Sequence, residues 1–145
     1  MYYNCYTIQD TRNICPSGWH VATEQDYIDL LNIIDNMTET TTAYGYYWEN
    51  AGPAFKKQDG WWSNGYYPLG QSTNDTYLGF ESFSHISCTN ANSFGSQGNV
   101  THYSWTGTSG DYAGNLCLVL PNYNDEVSFE DASDDTMLPC RCVKD

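Results

Sequence analysis

Apolar residues recur at intervals of three and four in one stretch of the chain, which predicts an amphipathic helix over residues 24–36. Thr23 suits the N-cap position of this helix, with Asp26 at the third helical position. The helix is the main one that the sequence predicts. Its apolar positions are Tyr27, Leu30, Leu31 and Ile34.

Shorter hydrophobic segments predict strands on either side of this helix. Residues 4–8 alternate as in an edge strand, and residues 115–120 form an apolar run typical of a buried strand. Residues 127–129 and 139–143 predict two further strands. Residues 121–125 are expected to form a turn that begins at the proline.

Between Gly45 and Gly114 the sequence is rich in glycine, asparagine, serine and aromatic residues and carries no long periodic segment. We expect mostly loop there, with neighbouring aromatic residues anchoring the loops to a core. No break in composition divides the chain, so a single domain over residues 1–145 is expected, as suits a chain of 145 residues.

Charge narrows the range of ligands. Eighteen Asp and Glu against five Lys and Arg leave a formal net charge of −13, which disfavours nucleic acid as a partner. No apolar run approaches the roughly 18 residues of a membrane span, so we expect no membrane insertion by this domain. Thirteen tyrosines and five tryptophans are typical of surfaces that offer rigid aromatic area to neutral ligands such as sugars. The alternative is that they fill a small β-rich core.

Six cysteines in so short a chain indicate an oxidising compartment. Their number is even, as a disulfide framework requires, but their spacing alone does not select a connectivity. The one-residue spacer between Cys140 and Cys142 is poor for zinc. Residues 1–4 lack the basic and apolar regions of a signal peptide. We therefore expect the domain to be extracellular or at a cell surface, exported as part of a longer or lipid-anchored precursor.

Several motifs in this order along the chain resemble the Fibrobacter succinogenes major paralogous domain, a family found on exported proteins of Bacteroidota. The resemblance covers nearly the whole chain and is most specific at its two ends. The motifs are Cys15–Val21 with the helix behind it, Ala51–Gly52, Lys56, Gly60–Trp61, Gly79–Phe80 and Arg141–Asp145.

The resemblance implies an α+β, C-type-lectin-like fold with short antiparallel sheets, one main N-terminal helix and long irregular loops. It also implies that the first and last strands pair with each other, and that Cys15 and Cys142 form a disulfide. The other cysteines depart from the family pattern. Two candidate pairs remain, Cys117 with Cys140, on adjacent strands if the C-terminal segments form a meander, and Cys5 with Cys88.

Sugar-binding C-type lectins, which resemble this fold, hold calcium with a Glu-Pro-Asn loop and a later Trp-Asn-Asp motif. This chain offers only Asn124 and Asp125 as weak calcium candidates, and one Asn-Asp pair supplies too few oxygen ligands by itself. An ordinary turn is the favoured interpretation, so we expect no cofactor and keep calcium as the alternative. The acidic residues of segment 125–135 could bind a divalent cation or a basic partner, but a solvated hairpin is favoured.

Catalysis has little support, since His20, His85 and His102 accompany no recognised nucleophile motif. We therefore expect a non-catalytic module that binds a glycan or protein ligand through its loops. The enrichment in Asn, Tyr, Asp, Ser and Thr also resembles the composition of variable receptor proteins of diversity-generating retroelements. A structural or adhesive protein-contact subunit of a bacterial surface assembly is the alternative. The expected ligand-binding residues are Trp62, Tyr66, Tyr67, Tyr103, Asp111 and Tyr112.

Overall fold

A computed structural model describes the chain over residues 1–33, 38–42, 45–56, 80, 86–87, 101–111, 114–121 and 124–145. The described residues form three helices and ten strands. The helices are α1 (Cys5–Gln9), α2 (Glu24–Ile33) and α3 (Gly52–Phe55). The strands are β1 (Tyr3–Asn4), β2 (Trp19–Val21), β3 (Thr38–Thr42), β4 (Gly45–Glu49), β5 (Ile86–Ser87), β6 (Thr101–Ser109), β7 (Asn115–Pro121), β8 (Val127–Ala132), β9 (Thr136–Leu138) and β10 (Cys142–Lys144).

The strands form three sheets, and their pairings are antiparallel, which confirms the α+β class. The largest sheet has the order β3-β4-β8-β7-β6, and the two smaller sheets have the orders β1-β9-β5 and β10-β2. Two isolated parallel bridges add to these ladders, one of them between Trp105 and Cys140. No helix in the described part of the chain is long and apolar enough to cross a membrane.

Strand β7 runs through the middle of the core, and both of its faces are covered. Leu118 and Leu120 belong to one hydrophobic cluster, which includes Trp48 and Phe55. The intervening Cys117 and Val119 belong to a second cluster around the fully buried Trp105. Because side chains alternate along a strand, the two clusters lie on opposite faces of the large sheet. This two-sided burial explains the apolar run that predicted the strand.

Helix α2 confirms the predicted start of the main helix. The backbone N–H of Asp26 donates to Thr23 Oγ1 at 3.2 Å, and the Asp26 carboxylate accepts from the Thr23 N–H at 2.8 Å. The two side chains thus cap the helix reciprocally. Tyr27 and Leu31 are buried. Residues 34–36 of the predicted helix lie outside the described residues.

The edge strand predicted over residues 4–8 is wrong, because β1 ends at Asn4 and α1 begins at Cys5. The Asn4 side chain accepts hydrogen bonds from the Thr7 N–H at 3.0 Å and the Thr7 hydroxyl at 2.9 Å, so it caps a helix. Cys5 and Ile8 are both buried. Their spacing of three places them on one face of this short helix.

The C-terminal residues also depart from the prediction of one strand over 139–143. β9 ends at Leu138 and pairs with β1, whereas β10 begins at Cys142 and pairs with β2. The first and last strands therefore do not pair with each other, contrary to the expectation. Between β9 and β10, the carbonyls of Pro139 and Arg141 accept from Trp105 N and Ala22 N, each at 2.8 Å.

Strand β6 lies in the stretch that the sequence predicts to be mostly loop, so this part of the prediction is wrong. Polar residues interrupt its pattern, but Ser104 and Thr106 are buried. Each has a hydrogen-bond partner inside the protein: Ser104 Oγ donates to the Pro139 carbonyl at 3.3 Å, and Thr106 Oγ1 donates to the Leu116 carbonyl at 2.9 Å. The strands predicted over 115–120 and 127–129 are confirmed within β7 and β8.

Candidate functional site

An open cavity of about 220 Å³ lies on the face of the large sheet that carries Trp105. Its walls come from four strands, β6 to β9, and from the turn between β8 and β9. They combine an aromatic ring, a thiol, two carboxylates and two aliphatic hydroxyl groups. The lining includes Tyr103, Cys117, Glu130, Asp131 and Thr136.

Strand register brings these side chains together. Cys117 is the cross-strand neighbour of Trp105 on one side and of Glu130 on the other. Tyr103 lies two residues before Trp105 and so shares its face of the sheet. The Trp105 indole N–H donates to the Tyr3 carbonyl at 2.7 Å, which holds β1 against this face. Burial raises the pKa of the Cys117 thiol to about 12, so the thiol is an unreactive part of the cavity wall.

The rim of the cavity is a tight turn over residues 133–136. The Thr136 N–H donates to the Ser133 carbonyl at 2.9 Å, and the Ser133 hydroxyl bonds to both Asp135 and Thr136. Gly114 packs under this turn with φ +57°, and a Cβ there would lie 2.3 Å from the Ala132 carbonyl oxygen. Only glycine lets the two backbones approach so closely. The rim is therefore held by its own hydrogen bonds and by close packing against Gly114.

Neutral donors hold most of the carboxylates around the cavity. Asp131 Oδ1 accepts from the backbone N–H of Asp111 at 3.1 Å. Asp134, on the rim turn, accepts from the Cys5 thiol at 3.1 Å and from the Tyr6 hydroxyl at 3.2 Å. Burial, followed by the neighbouring Asp134 carboxylate, raises the pKa of Cys5 to about 11.

Glu130 differs from these acids. Burial raises the pKa of its carboxyl group, and no residue that the structure describes forms a hydrogen bond or an ion pair with it. The residue is nevertheless exposed, so solvent and a ligand can both reach its carboxylate. It is the group in this cavity most available to a ligand.

A buried lysine lies in a second charged region, away from the cavity. Lys56 is 1% exposed; its Nζ donates to the Asn124 carbonyl at 2.6 Å and lies 3.9 Å from Asp125 Oδ1. The Gly52 N–H donates to the Asp125 carbonyl at 2.7 Å. Burial lowers the pKa of Lys56 to about 8, although the nearby Asp125 acts in the opposite direction.

The two weak calcium candidates, Asn124 and Asp125, thus face the ammonium group of Lys56. The Asn124 side chain is also occupied, since it accepts from the Glu126 N–H at 3.2 Å and bonds to the Glu126 carboxylate. Among the residues that the structure describes, no three His, Cys, Asp or Glu side chains come together as a metal-binding group.

The predicted disulfide between Cys15 and Cys142 is present, with the two Cα atoms 5.8 Å apart. The predicted pairing of Cys117 with Cys140 is wrong, because both thiols are free. Strand β6 lies between them, with Trp105 bridging to Cys117 on one side and to Cys140 on the other. Two strand spacings of about 4.8 Å separate the backbones too far for a disulfide. Cys5 also has a free thiol, and Cys88 lies outside the described residues.

The model of the Fibrobacter succinogenes major domain family matches residues 1–144. The chain belongs to this family. The resemblance noted in the sequence is thereby confirmed. A search of curated proteins and a search of solved structures each find no match.

The N-terminal motif of this Fibrobacter succinogenes major domain has a visible structural role. Besides Cys15 it contains His20, whose Nδ1 lies 2.6 Å from Asp145 Oδ1 and whose Nε2 lies 3.0 Å from Asp26 Oδ2. These two carboxylates raise the pKa of His20. The motif therefore ties the helix α2 cap and the disulfide to the C-terminal residues.

Two of the six expected ligand residues can be located in this family member. Tyr103 lines the cavity. Asp111 lies beside it, because its backbone N–H donates to the carboxylate of Asp131, which also lines the cavity. Trp62, Tyr66, Tyr67 and Tyr112 lie outside the described residues. Glu130 and Thr136 were not expected as ligand residues. The dense acids of segment 125–135 were the available signal for Glu130, but only strand register shows which acid lines the cavity.

Proposed function

We propose that this domain is a non-catalytic, extracellular ligand-binding module with a lectin-like fold, and that the cavity beside Tyr103 is its glycan-binding site. The observation that carries the proposal is the joint lining of one open cavity by Tyr103, Glu130 and Asp131. An aromatic face packs against the apolar side of a sugar ring, and carboxylates accept hydrogen bonds from its hydroxyls.

The size and rigidity of the cavity support the same conclusion. A cavity of about 220 Å³ is smaller than the pockets of drug-sized ligands, so it suits one sugar unit of a longer chain. The hydrogen bonds within the 133–136 turn order the rim in advance, which lowers the entropic cost of binding. The disulfide supports an extracellular location.

A glycan-array screen of the oxidised domain tests this proposal, run once with calcium and once with a chelator. We expect binding to specific glycans that Tyr103→Ala abolishes and Tyr103→Phe retains. Tyr47→Ala is the matched control, because Tyr47 lies on β4 and its hydroxyl contacts Glu49 instead of the cavity. Thermal unfolding of each variant verifies that it folds.

Loss of binding in the chelator would contradict a site made of these side chains alone. It would favour a calcium-dependent site instead. An array without any binding would contradict the glycan proposal and favour a protein-contact subunit.

A further inference from the structure

Lys56 carries a buried amine that the proposed glycan site does not use. Lys56 caps the C-terminal end of helix α3, where its backbone N–H donates to the Gly52 carbonyl at 3.0 Å, and its backbone forms a bridge to Phe80. Phe80 and the preceding Phe55 both belong to the first hydrophobic cluster. Burial lowers the pKa of this amine to about 8. About one tenth of the chains therefore carry it uncharged and nucleophilic at pH 7.

The side chain of Asp125 meets this amine inside the protein. Asp125 Oδ1 lies 3.9 Å from Lys56 Nζ. This oxygen is buried, and it accepts no hydrogen bond from any residue that the structure describes, which is a costly state for a carboxylate oxygen. The gap is too long for a hydrogen bond. A small movement of either side chain brings the groups within the roughly 3–3.5 Å at which reacting atoms meet.

The backbone around Asp125 is fixed against helix α3, so the two groups are held in position. The Gly52 N–H donates to the Asp125 carbonyl at 2.7 Å, and Lys56 Nζ donates to the Asn124 carbonyl at 2.6 Å. Holding two reacting groups together in this way replaces a bimolecular encounter with an intramolecular step. The Asn124 side chain is not the reacting partner, because its amide donates to the Glu126 carboxylate.

From this geometry we propose that Lys56 and Asp125 condense into an isopeptide bond, a covalent amide between their side chains. The proposal is independent of the glycan-binding function. The bond closes a second covalent loop, over residues 56–125, within the ring that Cys15 and Cys142 close. Unlike a disulfide, an amide withstands reducing agents.

The reaction is a condensation in which nothing is oxidised or reduced. One proton passes from the Lys56 ammonium to the Asp125 carboxylate, which leaves a neutral amine and a neutral acid. The nitrogen lone pair then forms a bond to Asp125 Cγ, the bond from Cγ to the hydroxyl oxygen breaks, and the hydroxyl leaves as water with a second proton from the nitrogen. The Asp125 side chain is 35% exposed, so the water has a path to solvent. The product removes two charges from the protein interior, which favours the amide. Chains that have not yet reacted keep the ion pair.

Intact-mass spectrometry of the domain, after reduction of its disulfide, tests the proposal. We expect wild-type chains incubated at a pH of about 8, where half of the amines are uncharged, to lose the mass of one water molecule. Proteolysis of these chains should release a branched peptide in which Lys56 is joined to Asp125. Lys144→Gln is the matched control at an exposed lysine, and it should lose the same mass as the wild type.

Lys56→Gln and Asp125→Ala each remove one reacting group, and both variants should keep the full mass of their sequences. If neither variant folds, the branched peptide of the wild type decides the question. A wild-type chain that keeps its full mass after incubation would overturn the proposal. Loss of water without the branched peptide would overturn it too, because an aspartate can also lose water by cyclising onto its own backbone. A branched peptide that joins Lys56 to another acid would likewise contradict the role of Asp125.

Discussion

Lys56 and Glu130 are both charged side chains, but their surroundings differ: Lys56 is buried and Glu130 is exposed. Lys56 is almost completely buried, with a carbonyl at 2.6 Å and a carboxylate oxygen at 3.9 Å. Glu130 lies in an open cavity and has no partner among the described residues. A buried charge with partners is part of the scaffold, whereas an exposed charge without a partner is open to a ligand. The difference separates a charge that holds the structure together from one that is free to meet a ligand.

The largest effect expected from this difference is the loss of Lys56. Lys56→Met leaves the Asn124 carbonyl and the buried oxygen of Asp125 without their cation, and we expect the free energy of unfolding to fall by about 3 kcal/mol. Denaturant titration measures it. Lys144→Met, at an exposed position of β10, is the control and should change stability by less than about 0.5 kcal/mol. A loss equal to that of the control would show that Lys56 is not structural.

A smaller effect is expected at the backbone that supports the cavity rim. Gly114→Ala places a Cβ against the Ala132 carbonyl, and we expect it to lower the free energy of unfolding by about 2 kcal/mol. Gly18→Ala is the matched control, since Gly18 has φ +78° and open space around it. It should cost only about 1 kcal/mol, for the positive φ alone. Equal losses at the two positions would mean that the rim accommodates the methyl group.

His20 lies between the two extremes, because it is half-exposed and its imidazole contacts two carboxylates. Its pKa is raised in the folded protein, so its contribution to stability is complete below the unfolded pKa of about 6.5 and is lost as pH rises through the folded value. We expect the difference in melting temperature between wild type and His20→Gln to shrink as pH rises from about 5 to 9. A pH-independent difference would contradict this role.

The smallest effect on stability is expected at Glu130. Its pKa is raised, so the ionised side chain lowers stability as pH rises past the unfolded value of about 4.3. Glu130→Gln should therefore leave the free energy of unfolding within about 0.5 kcal/mol of wild type, or raise it slightly, at neutral pH. Denaturant titration at pH 4 and pH 7 measures the change. A clear loss of stability would indicate a structural partner for Glu130 and weaken its role as a ligand-binding group.

The sequence predicts those parts of the fold that local chemistry determines. The Thr23–Asp26 cap and the apolar run of β7 are visible in the order of the residues alone. The motif containing Cys15 predicted the disulfide to Cys142 through family resemblance.

Other parts depend on contacts between distant residues. The residues of strand β1 and helix α1 follow one alternating pattern that is typical of a strand. Only the cap formed by Asn4 shows that a helix begins there. Strand β6 is hard to predict because its buried Ser104 and Thr106 hydroxyls donate to carbonyls on other segments of the chain, at Pro139 and Leu116. The same strand separates Cys117 from Cys140. The predicted disulfide between them assumed a simple meander and is therefore absent.

The candidate site was predictable only in part, for a related reason. Tyr103 and Asp111 were expected from composition, and both lie at or beside the cavity. Glu130 is one of several acids in a short segment, and nothing in the sequence distinguishes it from Glu126, which instead bonds to Asn124. Cross-strand register, by placing Glu130 opposite Cys117, makes the distinction.

The disulfide between Cys15 and Cys142 joins residues 127 positions apart, so it closes nearly the whole domain into a covalent ring. Tension applied to the chain from its two ends passes across this bond and bypasses the large sheet. The segment before Cys15, with β1 and α1, lies outside the ring and bears the load first. Its peeling would withdraw Cys5 and Tyr6 from Asp134 and loosen one side of the cavity rim, while the ring remained closed. Under such tension, we therefore expect the rim to be disturbed before the core.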